Sequence, residues 1–237
     1  MLWIIDYLPT GSTIVSTAER EFEPQVEELG QMLKGVGIEP TGEQVELLDR
    51  YRRLLWSWNE RMNLTRHTTL EKFVGRDVVD SFQLGKLLKP GERVLDVGTG
   101  GGVPGAILAI LRPDLSVSLC ESTQKKARAI EAIVAELGLN VPVYATRAEE
   151  VLEIHTYDTL VARALASLPK VLTWLRPHWD AFDQLLLTKG PNWVEERNAA
   201  RHAGLLRGWE LRKAATYQTP RTGAESVILK IWRPQNI

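Results

Sequence analysis

The sequence predicts an α/β protein: a doubly wound, mainly parallel seven-stranded sheet with an antiparallel terminal hairpin, preceded by a small helical N-terminal lobe. Three observations predict it. From residue 93 onward, short apolar runs alternate with helix-period stretches, which implies right-handed crossovers between parallel strands. The first run, Arg93-Val94-Leu95-Asp96-Val97, leads straight into a glycine-rich turn. The last two, 208–217 and 225–232, are joined by Thr219-Pro220-Arg221-Thr222-Gly223 with no helix between them, so they form a hairpin.

Residues 1–25 are mixed in composition and uncapped, and are expected to be a loosely ordered extension. A short helix is expected over 25–36. Thr41 is a good N-cap, and Gln44 three residues later completes a capping box. Val45, Leu48, Tyr51, Leu55, Trp58 and Met62 then recur at three- or four-residue steps, one apolar stripe of a helix. Helices over 69–75 and 79–88 complete a helical lobe running from 26 to 90. Lys89-Pro90-Gly91 punctuates the chain. Over 91–237, strands are expected at 93–97, 115–120, 141–145, 157–162 and 183–188 ahead of the hairpin. Helices over 104–111, 122–137, 147–152, 167–175 and 193–204 follow them in turn.

The 237 residues are 44% hydrophobic and 25% charged, enough for one large domain or a domain with a small lobe. No apolar run approaches the roughly 18–20 residues needed to span a bilayer, so no membrane partner is expected. The opening Met1-Leu2-Trp3-Ile4-Ile5 lacks a basic flank and is a poor signal peptide. One cysteine, Cys120, excludes an intrachain disulfide and a cysteine-rich zinc site, and a reducing cytoplasm is expected. His67, His155, His178 and His202 show no metal-ligand spacing, so no metal is expected. The net charge is only −1, but it is unevenly spread. Residues 1–49 hold ten acids and two bases, whereas residues 50–76 hold seven bases and two acids. Such a swing marks either a polyanion contact or a set of solvated helix faces.

The chemistry concentrates in Asp96-Val97-Gly98-Thr99-Gly100-Gly101-Gly102-Val103-Pro104-Gly105. Glycines here let the backbone turn sharply and approach a ligand, and the helix that follows presents free N–H groups. Glu121 ends the next strand, 23 residues after Gly98, where a carboxylate can accept both hydroxyls of a ribose. A nucleoside-containing cofactor is implied. Gly100 to Gly105 also fits the dinucleotide pattern G-x-G-x-x-G, a weak signal by itself. Asp96 at the strand end, placed to serve a cationic ligand, and the terminal hairpin both favour S-adenosyl-L-methionine over a dinucleotide.

These residues and others along the chain resemble the RsmG (GidB) family, bacterial enzymes that methylate N7 of a guanine in small-subunit (16S) ribosomal RNA. The resemblance spans roughly residues 30–235. It is carried by Trp58-Asn59, Asn63-Leu64-Thr65, Arg76, Asp80-Ser81, the glycine string, Glu121-Ser122-Thr123-Gln124-Lys125-Lys126, Arg147-Ala148-Glu149-Glu150, Arg163-Ala164, Lys189-Gly190 and Leu229-Lys230. It implies the fold of a class I S-adenosylmethionine-dependent methyltransferase. It further implies cofactor contacts at Gly98, Val103, Glu121, Thr123, Ala148, Glu149 and Arg163, beside Asp96 and Gly100. Two departures stand out. The family usually has Arg-His before x-x-Asp-Ser, and the histidine position here is Asp77. The acid after the second strand is glutamate where aspartate is common.

Methyl transfer to guanine N7 needs no general base, because N7 has a lone pair and no proton; positioning and electrostatics suffice. The stretch Val161-Ala162-Arg163-Ala164 lacks the Asn/Asp-Pro-Pro-aromatic motif of exocyclic-amine methyltransferases. Arg163 is therefore the candidate catalytic residue, a cation facing donor and base, its rival reading an ion pair at the sheet rim. Cys120 reads as a buried small hydrophobe. Candidate RNA contacts are Arg61, Asn63, Arg66, Arg76, Lys125 and Lys126, with Arg50, Arg52, Arg53 and Arg128 as further phosphate contacts. Trp56 and Trp58 are candidates for base stacking, though Trp58 lies on the apolar stripe. The expected partner is small-subunit ribosomal RNA or the ribosomal subunit, met by a monomer. Two rivals stay open: a methyltransferase for a small molecule or protein, and an inactive RNA-binding or assembly module on the same fold.

Overall fold

In the computed structural model, which describes residues 17–220 and 223–234, with side chains from residue 25 on, seven strands alternate with helices as their patterning dictates. The strands are β1 (Arg93–Val97), β2 (Ser116–Cys120), β3 (Val143–Tyr144), β4 (Tyr157–Arg163), β5 (Phe182–Lys189), β6 (Glu210–Gln218) and β7 (Glu225–Trp232). Their order across the sheet is β3-β2-β1-β4-β5-β7-β6. All neighbours pair in parallel except β5 with β7 and β7 with β6. The second hairpin strand thus inserts between β5 and the first. The chain leaves β1 towards β2 on one side and returns to β4 on the other, so the crevice of an open sheet lies beyond the C-terminal ends of β1 and β4.

Helices α5 (Gly105–Leu111), α6 (Gln124–Glu136), α7 (Ala148–Leu152), α8 (Leu168–Leu175) and α9 (Trp193–His202) connect the strands. A 3₁₀ segment, Arg176–Ala181, follows α8, an element the sequence pattern did not signal. Successive strand residues face opposite sides of the sheet. Leu95, Val97, Leu160, Ala162, Leu185 and Leu187 face the α7–α9 side. Val94, Leu119, Val161 and Leu186 face the other. Asp96 shares the Val94 side, where it meets the start of α5.

Ahead of the sheet come α1 (Thr17–Gly35) and α2 (Gly42–Asn59). Helix α1 starts well before the expected residue 25, which corrects the expected extension over 17–25; residues 1–16 lie outside the described residues. Ala18, Glu19, Arg20, Glu21 and Glu23 favour a helix without any cap. Helix α2 begins as expected at Thr41. The Thr41 hydroxyl accepts the Gln44 N–H at 3.2 Å and the Gln44 side chain accepts the Thr41 N–H at 3.0 Å. The same Gln44 amide donates to the carbonyls of Ile110 and Leu111 at 2.9 and 3.2 Å, so one side chain joins the two helix ends.

Helical backbone then runs without a break through α3 (Leu70–Lys72), a wider π turn (Phe73–Val78) and α4 (Val79–Gly85). Leu29, Leu33, Tyr51, Leu55, Phe73 and Leu84 are fully buried in one cluster with Ile107, Leu119 and Ile130. The N-terminal helices and the sheet therefore share a core, with no packing break at residue 90. No helix among the described residues is long and apolar enough to cross a membrane.

Candidate active site

The glycine turn is held from three directions. Beyond β1, the Gly98 and Thr99 N–H groups donate to the Cys120 carbonyl at 2.9 and 3.0 Å, which ties the turn to the end of β2. From beneath, Asp96 Oδ2 accepts the Thr99 hydroxyl at 2.6 Å and the Gly105 N–H at 2.8 Å. From the helical side, the Tyr51 hydroxyl donates to the Gly101 carbonyl at 2.8 Å. Two glycines show the two uses of the motif. A Cβ on Gly105 would stand 2.2 Å from Leu119 Cδ2, so glycine there lets α5 lie against β2. Gly100, at φ +58°, has nothing within 4 Å of a Cβ position and presents open backbone to the crevice.

Across from Gly100 stands Glu121, buried at the end of β2. One of its oxygens accepts the Gly100 N–H at 3.1 Å and the other the Thr123 N–H at 2.7 Å. Those bonds fix the carboxylate and leave lone pairs for further donors. Beside it lies a cavity of about 140 Å³ whose walls include Gly98, Cys120, Ala148, Glu149, Leu165 and Trp174. Leu165 leans over Gly98, where a Cβ would come within 2.3 Å of it. A far larger cleft, about 1010 Å³, opens at the opposite end of the strands, between the start of β5 and the end of β7. It is wide and charged on both sides, and it lies away from the carboxyl strand ends where open α/β sheets bind ligands.

Arg163 closes β4, and its guanidinium meets two fully buried carboxylates. Nη2 is 2.6 Å from Asp77 Oδ1 and Nη1 is 3.2 Å from Asp80 Oδ2. Asp77 Oδ1 also meets His67 Nδ1 at 2.7 Å, and Asp80 Oδ1 accepts the Tyr217 hydroxyl at 2.8 Å. Burial works against the Arg163 cation, but Asp77 and Asp80 outweigh it and hold its pKa above the ordinary value. Burial also raises Asp96 to about 6, although bonds from Thr99 and Gly105 pull it down. Cys120 is pushed up to about 12, chiefly by burial and then by Glu121, so it stays an inert thiol.

The geometry of a nucleoside crevice is matched by kinship. A family profile described as rRNA small subunit methyltransferase G (GidB) matches residues 44–222. A protein named ribosomal RNA small subunit methyltransferase G from Rhodopirellula baltica is 51% identical over 199 residues, 84% of this chain and 83% of the relative. One of the same name from Chromobacterium violaceum is 42% identical, over 71% of this chain and 81% of the relative. The chain belongs to this family. Its fold is shared more widely. A variant of MtNAS in complex with S-adenosylmethionine superposes with a TM-score of 0.53 at 17% identity, covering 90% of this chain and 80% of that one. TrmK from M. capricolum in complex with S-adenosyl-homocysteine gives 0.51 at 14% identity, covering 67% and 71%.

Of the residues expected at the cofactor site of this methyltransferase G family member, Gly98, Ala148 and Glu149 line the smaller cavity. Gly100 and Glu121, bonded to each other, adjoin its wall residues Cys120 and Ser122 along the chain or through that bond. Thr123 is exposed and reaches Glu121 through its N–H. The Val103 side chain is buried in the hydrophobic core on the helical side of the sheet, at the end of the glycine turn. Arg163 combines both readings made of it, since it is ion-paired yet still 16% exposed in its side chain.

The basic N-terminal residues separate sharply. Arg61, Asn63, Arg66, Lys125 and Arg128 are exposed, and Lys126 is half-buried. Arg50 donates to the Glu136 carbonyl at 2.9 Å, while Arg52 and Arg53 pair with buried Asp49 at 2.5 and 2.9 Å. Arg52 is buried in that pairing, a correction to its assignment as a phosphate contact, while Arg50 stays exposed and Arg53 half-buried. Arg76 donates to the Thr219 hydroxyl at 2.6 Å and is half-buried. Trp56 and Trp58 pack against the core, and Trp56 donates its indole N–H to the His67 carbonyl. Sequence reasoning missed His67, Leu165, Trp174 and Tyr217 as parts of the site. Only Asp77-x-x-Asp80, two acids on one helix face, was a visible signal.

Proposed function

We propose that the chain transfers the methyl group of S-adenosyl-L-methionine to N7 of a guanine in small-subunit ribosomal RNA, as a monomer in the cytoplasm. The observation that carries this reading is the pairing of Glu121 with the open backbone of Gly100, beside a cavity walled by Gly98, Ala148 and Glu149. The residues fit the cofactor. Asp96 Oδ1 is buried without a hydrogen-bond partner, an acceptor left over for a cationic group. Glu121 suits ribose hydroxyls, Gly98 and Gly100 a close backbone approach, and Leu165 and Trp174 the flat faces of adenine. When bound, the cofactor supplies a methyl group on a sulfonium centre.

The chain's own residues then orient the acceptor. Ala164 and Ala166, on either side of Leu165, face a second cavity of about 260 Å³ that also includes Arg76, Arg163, Lys189 and Glu196. Cations along that wall suit the N7 and O6 edge of guanine, which carries only acceptors. N7 has no proton to lose, so positioning by these groups is sufficient chemistry. The exposed Arg61, Asn63, Arg66 and Lys125, with half-buried Lys126, supply phosphate contacts for a folded RNA.

Mapping N7-methylguanine in small-subunit RNA from cells with and without the gene tests the reading. One methylated guanine is lost on deletion and returns with the gene. An unchanged map, with the folded protein still binding S-adenosyl-homocysteine in a calorimeter, would replace the RNA target with a small molecule or a protein.

A further inference from the structure

We infer that His67 and Asp77 form a positioning pair that holds the Arg163 guanidinium at the wall of the second cavity. The inference rests on the reading above, in which that wall borders the target base. Arg163 is fixed by two carboxylates of different standing. Asp80 is bound on its far side to the Tyr217 hydroxyl of β6 at 2.8 Å and is therefore anchored to the sheet. Asp77 makes the shorter contact with Arg163, 2.6 Å against 3.2 Å, yet among the described residues no second group of the sheet bonds its carboxylate. Both donors to Asp77, Arg163 and His67, converge on Oδ1, while buried Oδ2 has no hydrogen-bond partner. The orientation of this carboxylate is thus set by the imidazole on one side and the guanidinium on the other.

His67 is built to hold its place. Its N–H donates to the Thr65 hydroxyl at 3.0 Å, and its carbonyl accepts the Trp56 indole N–H at 2.9 Å. The imidazole is tied in this way to the end of α2 before it reaches Asp77. Asp77 itself lies in the π turn Phe73–Val78, a widened stretch of the kind that re-aims side chains at functional sites. On the other side, Ala164 directly after Arg163 holds φ +52°, a left-handed backbone uncommon outside glycine, so the end of β4 is set by its surroundings. The family pattern has histidine where Asp77 stands. Here the imidazole comes from ten residues earlier and meets a carboxylate. His67 touches neither cavity wall in its own right and acts through Asp77.

The test compares His67→Ala and His67→Gln with the unaltered protein, using small subunits from cells lacking the gene as acceptor. The glutamine amide can still donate to Asp77. For His67→Ala, kcat falls about tenfold to a hundredfold, as displacement of a positioned group does. KM for subunits, S-adenosyl-homocysteine affinity and the thermal midpoint stay nearly unchanged, and His67→Gln recovers most of the rate. A second readout needs no substrate. The Arg163 Nε–H signal in nitrogen-15 NMR is resolved in the unaltered protein and in His67→Gln, and it broadens or shifts to the free-arginine position in His67→Ala. Equal rates in all three proteins, or an Arg163 signal indifferent to residue 67, would overturn the pair. Failure of the unaltered protein to methylate subunits would instead refute the guanine reading, and the NMR comparison would still decide the pair.

Discussion

The Tyr51 hydroxyl donates to the Gly101 carbonyl at 2.8 Å, so a helix that precedes the sheet holds the glycine turn proposed to bind the cofactor. Both groups are buried, and Tyr51 Oη stands only 3.1 Å from where a Cβ on Gly102 would lie. In Tyr51→Phe the carbonyl loses its partner without gaining water. Such a loss costs about 1–3 kcal/mol, and it falls on the loop itself. The urea midpoint drops and S-adenosyl-homocysteine affinity weakens severalfold. Unchanged affinity in a destabilised variant would show that the bond serves stability alone.

Asp96 predicts an unusual pH dependence. Burial lifts its carboxyl from 3.8 to about 6, so the folded protein holds this proton more tightly than the unfolded chain does. This contribution to stability therefore falls as pH rises between those values, and the penalty is complete above the upper one. For this fully buried group it amounts to about 3 kcal/mol. A cationic donor next to Asp96 favours the carboxylate, so its affinity should rise over the upper part of the same window. Urea unfolding and calorimetry at pH 5.5 and 7.5 check both trends. In Asp96→Asn the two slopes attributable to this group vanish, and parallel slopes in both proteins would refute the assignment.

Two glycines of one motif should fail differently. Gly105→Ala forces a methyl against Leu119 at 2.2 Å and the Asp96 carboxylate at 2.8 Å, so the protein loses stability by several times the usual cost of a substitution. Gly100→Ala meets nothing, and a left-handed alanine costs only about 1–2 kcal/mol. That variant folds, but its methyl projects into the crevice and cofactor binding suffers. Thermal melts paired with S-adenosyl-homocysteine titration separate the two outcomes.

The arginines divide just as cleanly. Replacing Arg52 by alanine removes the closest partner of the fully buried Asp49 but leaves Arg53 on it, so the protein is destabilised by less than the roughly 3–5 kcal/mol of a buried charge left alone. Replacing exposed Arg61 or Arg66 by alanine changes stability by less than about 0.5 kcal/mol. RNA affinity falls for the latter two, and each lost phosphate contact lowers the salt slope by roughly one. A slope that is the same in all variants would move the RNA to another face.

The fold was legible because its signals are local. The Thr41–Gln44 box, the apolar stripe through Tyr51 and Leu55, and the helix-free link before β7 each specify one element from adjacent residues. The glycine string and Glu121 were legible for the same reason, since strand ends place them. Partnerships between distant residues were not. Nothing near Arg163 announces Asp77 or Asp80, more than eighty positions earlier. The sequence shows three arginines on α2 as charges, whereas only packing reveals that Arg52 and Arg53 answer a buried Asp49.

The core shared across residue 90 makes the protein indivisible. Leu108 lies against α4 at Gly85, and Ile130 lies against Gly102 and Tyr51, so both depend on helices from the first third of the chain for cover. A fragment starting at the first strand would bare this greasy side to water and clump, rather than survive as a minimal catalyst. Heat should accordingly melt the intact chain in a single step, with RNA-facing and cofactor-facing parts lost together.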